Sequence, residues 1–115
     1  MRNPGKELYS QMTSRKTKPF IGQWRIVGID GWDQDYVDME VPGHFTFEKR
    51  GVGNFQFGLV QAQLDYRVAG NRIDFTWSGF DENNEISGRG FADIVRNELC
   101  GHLYIHLGDD SAFGP

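Results

Sequence analysis

The sequence predicts an all-β domain, an antiparallel up-and-down meander of seven or eight short strands closed into a small barrel. Three observations carry this. Gly (15 residues) and aromatics (14%) are both high; aromatics suit strands, and Gly suits turns and bulges. Apolar and polar residues alternate along most of the chain after Pro19, the period-two pattern of a strand with one wet face. Turn signals recur at hairpin spacing. A flat sheet of that many strands would leave its apolar face in water. Curling into a barrel buries that face and removes the open edges.

The elements follow in order. Residues 5–16, "GKELYSQMTSRK", suit a marginal helix, and Pro19 blocks its extension. "FIGQWRIVGI" (20–29) reads as the first strand. "GHFTFEK" (43–49) alternates, with Phe45 and Phe47 on one face, and "RGVG" (50–53) is a turn. "NFQFG" repeats the pattern with Phe55 and Phe57. "VQAQLDYRV" (60–68) sets Val60, Ala62, Leu64, Tyr66 and Val68 against Gln61, Gln63, Asp65 and Arg67. "AGNR" (69–72) turns into "IDFTW" (73–77), with Ile73, Phe75 and Trp77 inward. "DENNE" (81–85) reads as a loop and "SGRGFADIV" (87–95) as a strand whose glycines relieve crowding or mark a bulge. "RNE" (96–98) is a turn before the last strand, "LCGHLYIHL" (99–107).

Residues 53–68 read as one strand would span about 50 Å at ~3.3 Å per residue, far longer than the neighbours. We therefore place a break near 58–61. With that break, the acidic loop (30–42), the break itself, "DENNE" and "GDDS" (108–111) share one rim. "RGVG", "AGNR" and "RNE" share the other.

At 115 residues the chain has room for one core. We divide it into a tail or short helix over 1–18 and a single barrel domain over 19–115. The net charge of −4 is uneven: the first 18 residues carry Arg2, Lys6, Arg15, Lys16 and Lys18 against Glu7. The remaining acidic body repels phosphate backbones, which argues against nucleic-acid binding. No apolar run approaches the ~20 residues that cross a bilayer, and polar residues rather than an apolar segment follow Met1. A single Cys100 makes no internal disulfide, so the cytoplasm is the expected compartment.

The stretch with the most chemistry is "GWDQDYVDMEVPGH", Gly31–His44, in which Asp33, Asp35, Asp38 and Glu40 stand without Lys or Arg. Its D-x-D-x-x-D-x-E order lacks the central Gly of an EF-hand loop. Asp33, Asp35 and Asp38 are therefore weak metal candidates, with Asp81, Glu82, Asp109 and Asp110 on the same rim, and no metal or cofactor is assigned. Trp32 and Tyr36 either plug the barrel mouth or wall a ligand site. On the last strand His102, Tyr104 and His106 share one face, opposite Leu103, Ile105 and Leu107, and suit an outward interface. His102 and His106 are ~13 Å apart along a strand, too far to share one metal. No catalytic constellation emerges: Ser111 follows two Asp residues without G-x-S-x-G, and Cys100 has no base beside it.

Gly22 and Trp24 in "GQWRI" resemble the G-x-W opening of the calycin barrels, the lipocalin, fatty-acid-binding and avidin group. That resemblance implies a Trp closing one barrel end and a small apolar ligand inside. The chain is shorter than a typical lipocalin and offers no Arg on the last strand to stack on Trp24. As a whole it also looks like a group of small bacterial proteins with W-D-x-D-Y and H-L-G-D-D-S stretches, a likeness that implies no activity. The expected function is a non-catalytic binding module that takes a small, partly apolar ligand at the acidic rim. Trp32, Asp35 and Tyr36 would be its contacts, and Trp24 and Trp77 would line the base. The alternative is an interaction or self-assembly domain, a homo-oligomer using the His102–Tyr104–His106 face. A third option is an acid–base enzyme working from the rim carboxylates.

Overall fold

The computed structural model describes residues 18–115. The helix expected over 5–16 and nearly all of the basic arm lie outside the described residues. A 3-10 turn over Lys18–Phe20 leads into eight strands: β1 (Gly22–Arg25), β2 (His44–Phe47), β3 (Val52–Phe57), β4 (Val60–Ala69), β5 (Arg72–Asp81), β6 (Asn84–Val95), β7 (Glu98–Ile105) and β8 (Asp110–Phe113). A four-residue helix, α1 (Gln34–Val37), lies between β1 and β2. The strands form one antiparallel sheet in sequence order, and the sheet curls into a half-barrel.

The alternation read from the sequence is the cause. On β4, Val60, Ala62, Leu64 and Tyr66 are buried while Gln61, Gln63, Asp65 and Arg67 are exposed. The inward positions of β2, β3 and β5 supply rings that pack on one another. Phe45 lies 4.9 Å from Phe113, 5.0 Å from Phe55 and 5.7 Å from Phe75, centroid to centroid. Trp77 meets Phe55 edge-on at 5.2 Å. These rings need room, and β6 yields it: Gly88 and Gly90 face inward opposite Trp77 and Phe75. A Cβ on Gly90 would sit 2.5 Å from Phe75 Cζ. The glycines of "SGRGF" thus relieve crowding.

The expected break falls at Gly58–Leu59, with Gly58 at φ 54°. The Arg96–Asn97 turn has both residues at positive φ, 53° and 66°, as a two-residue type I′ hairpin requires. Four boundaries differ from expectation. The strand read over 99–107 ends at Ile105, which leaves His106 and Leu107 in a turn, with Leu107 95% exposed rather than facing the core. The first strand is four residues, not ten, because the chain changes partners. Ile26 still donates to Gly43 C=O at 2.7 Å, but Asp30 donates to Ala112 C=O and Gly114 donates to Gly28 C=O, each at 2.9 Å. Ile29 bridges Phe113 there, stitching the start of the sheet to its end. "DENNE" is not a loop: Asp81 pairs with Asn84 across a two-residue turn, since backbone pairing continues beyond the point where side chains reach the core. "GDDS" is no free rim segment either. Asp110–Phe113 is strand β8, with Ser111 and Phe113 buried.

Candidate functional site

The acidic loop is held by its own side chains. A four-residue helix has no stability of its own in water, so α1 depends on what it packs against. Val37 is 0% exposed and presses on Gly43, where a Cβ would come 2.5 Å from Val37 Cγ1. The Tyr36 ring lies on Gly58, and its hydroxyl accepts from Leu59 N–H at 3.2 Å. Trp32 meets Phe57 edge-on at 5.1 Å. Both rings are partly buried against the core.

Asp38 ties the loop to the sheet. It accepts from Arg25 Nη2 at 2.7 Å, Gln34 Nε2 at 3.0 Å and Gly43 N–H at 2.8 Å. The Gln34 amide, the Gly43 N–H and the Arg25 guanidinium together hold its carboxyl below the ordinary carboxylate range. Asp33 and Asp35 are exposed. Among the described residues no three His, Cys, Asp or Glu side chains come together to hold a metal ion.

A prediction follows for the loop. Asp38→Ala should lower stability by about 1 kcal/mol at pH 7, the size of lost, partly solvated hydrogen bonds. The folded carboxyl binds its proton more weakly than the unfolded one, near pKa 3.9. Its contribution is therefore complete above about pH 4 and fades as pH falls through the lowered folded value. Urea titrations of both proteins at pH 7 and pH 2.5 should show the difference shrinking. A constant difference would mean that the charge of Asp38 contributes nothing.

The other expected contacts scatter. Trp77 is 4% exposed and donates through Nε1 to Arg89 C=O at 3.3 Å. An aromatic chain runs Trp32–Phe57–Phe55–Trp77 through the interior. Trp24 stands outside that chain and donates to Phe20 C=O at 2.8 Å. Asp35 is exposed.

The outer face of β7 is engaged laterally. His102 Nε2 lies 2.5 Å from Asp110 Oδ2, and its ring stacks on Phe91 at 6.2 Å. Tyr104 lies 4.6 Å from His102 and carries Arg89 over its ring. His106 is exposed, with its backbone N–H donating to Ser87 C=O at 2.7 Å.

A groove of about 800 Å³ opens on the outer face of β4, β5 and β6, at the ends of these strands beside the acidic rim. Its walls include Gln61, Gln63, Ser78, Phe80, Glu85 and Ser87, with His106 at one side. A second compartment of about 620 Å³ shares Ser87 and His106 and adds Thr76, Arg89 and Tyr104. Strand register explains the lining. Gln63, Ser78 and Ser87 are successive cross-strand neighbours, a row of walls without an ionisable group. Gln61, Phe80 and Glu85 form the next row, which brings one carboxylate to the groove. Phe80 is 49% exposed.

No family model, curated protein or solved structure matches this chain. Chemical reading therefore rests on the groove itself. Amide and hydroxyl side chains both donate and accept, and an exposed ring adds a flat apolar face. Such a surface suits a ligand that alternates hydroxyls with C–H faces. The residues were readable only as the polar side of an alternating pattern. Which of them become neighbours depends on register, and register is not written in any one strand.

Proposed function

We propose that this domain is a non-catalytic binding module for a small hydroxyl-rich ligand, a sugar unit, held in the outer groove beside the rim. The uncharged row Gln63–Ser78–Ser87 next to the exposed Phe80 ring supports the reading most directly. A sugar offers equatorial hydroxyls to amides and a C–H face to an aromatic ring, so polar and apolar contacts are satisfied together. The reading keeps the binding role expected from the sequence and a partly apolar ligand. It moves the contacts to strand positions, because the Trp32 and Tyr36 rings already pack on Phe57 and Gly58. The calycin-like Gly22–Trp24 opening is consistent with a binding role, and the lone Cys100 suits a reducing cytoplasm.

The test is an NMR titration with a panel of mono- and oligosaccharides. Amide shifts should saturate at 61–63, 78–80 and 85–87. Gln63→Ala and Phe80→Ala should each weaken binding about 5–10-fold, near 1 kcal/mol, with an unchanged circular dichroism spectrum. The absence of saturable shifts across the panel would overturn the proposal. Concentration-dependent shifts centred on Tyr104 and His106 without ligand would instead favour self-association through the outer face of β7.

A further inference from the structure

Two arginines on the outer face are built alike. Arg72 Cζ lies 4.0 Å from the Phe91 ring centroid, and Arg89 Cζ lies 4.0 Å from that of Tyr104. Stacking occupies the flat face of a guanidinium and leaves its edge N–H groups free, held in a fixed orientation. The edge of Arg72 is filled: Nε and Nη2 donate to the two carboxylate oxygens of Asp93 at 2.9 and 3.0 Å. The edge of Arg89 meets no carboxylate among the described residues.

The acids that share its cross-strand row are engaged elsewhere. Asp65 accepts from the Thr76 hydroxyl at 2.5 Å, and Asp110, paired opposite Tyr104, is held by His102. Arg89 and Tyr104 are walls of the second compartment, which joins the sugar groove through Ser87 and His106. An oriented fork with no carboxylate partner among the described residues, at the opposite end of the groove from its one acidic wall, Glu85, is a recognition element for one acidic group on an otherwise neutral ligand.

We propose that Arg89 takes the carboxylate of an acidic sugar, a hexuronate, in the way that Arg72 takes Asp93. This rests on the reading of the groove as a sugar site. Stacking on Tyr104 holds the guanidinium in place before the ligand arrives, so little of its side-chain freedom is lost on binding. The sugar ring then extends past Ser87 toward Ser78 and Gln63. A carboxylate is planar and matches the fork through two parallel hydrogen bonds, whereas a sulfate ester is tetrahedral.

The experiment titrates the full chain, by calorimetry at pH 7 and low salt, with three disaccharides: one with a glucuronate unit, its glucose counterpart and its sulfated counterpart. The uronate should bind at least 10-fold more tightly than the neutral sugar. Arg89→Gln should abolish that preference, and Arg72→Gln should leave it intact. Equal affinity for uronate and neutral sugar would overturn the carboxylate assignment and leave the sugar site standing. So would tighter binding of the sulfated sugar, or a preference that survives Arg89→Gln. Absence of binding by all three would overturn the sugar reading, and this inference with it.

Discussion

Phe45→Ala is expected to lower the unfolding free energy by about 3–5 kcal/mol. Phe45 is 1% exposed and touches the rings of Phe47, Phe55, Phe75 and Phe113. Those rings come from four different strands: β2 itself, β3, β5 and β8. Phe45 therefore joins the early, middle and late parts of the sheet across the interior. Truncation removes the transfer term and leaves a cavity that its neighbours fill only in part, because each is anchored to a different strand. A domain of this size has a total stability of about 5–15 kcal/mol, so the variant would be near the threshold of folding. Urea unfolding followed by Trp fluorescence measures the loss, with an unchanged slope showing that the unfolded reference is the same. Phe45→Leu, which keeps more volume, should retain a larger part of the stability. A loss below about 1 kcal/mol for the alanine variant would contradict a ring-packed interior.

Gly88→Ala is expected to cost about 3 kcal/mol, the upper part of the range for inserting one methyl into a filled space. The new Cβ would stand 1.8 Å from the Tyr104 carbonyl oxygen and 3.0 Å from Trp77 Cζ2. The first of these is backbone, so β7 has to move. Gly88 pairs with Ile105, and Arg89 pairs with Tyr104. Displacement of β7 therefore reaches the second compartment directly. Amide exchange at Tyr104 and Ile105 should accelerate along with the loss of stability. Ser87→Ala, one residue away on the outer face, should stay within about 0.5 kcal/mol of the parent. Similar stabilities for the two variants would show that β6 and β7 are less closely apposed than described.

Much of the architecture was legible. Alternation over 43–49, 54–57, 60–68 and 73–77 marks strands because a side chain on a pleated sheet changes face at every residue. Length alone required the break near Gly58, and that break puts alternate connections at one end. Partner changes were not legible. Residues 20–29 remain apolar enough to read as one strand while their hydrogen bonds pass from β2 to β8. Two adjacent aspartates disguised β8, whose inward residues are only Ser111 and Phe113.

The acidic stretch shows the same division. Its composition left open a weak cation site, a plug over the barrel mouth and a ligand wall. Asp38 instead serves Arg25, Gln34 and Gly43, while Trp32 and Tyr36 settle on Phe57 and Gly58. The sequence by itself determined the all-β class, the strand periodicity and the rim parity, because these follow from local pattern and chain length. Only the tertiary structure decided which outward side chains become neighbours. Gln63, Ser78 and Ser87 lie on three strands and meet through register, and Arg89, unlike Arg72, meets no carboxylate among the described residues. Cross-strand contact is non-local, so no window of sequence contains it.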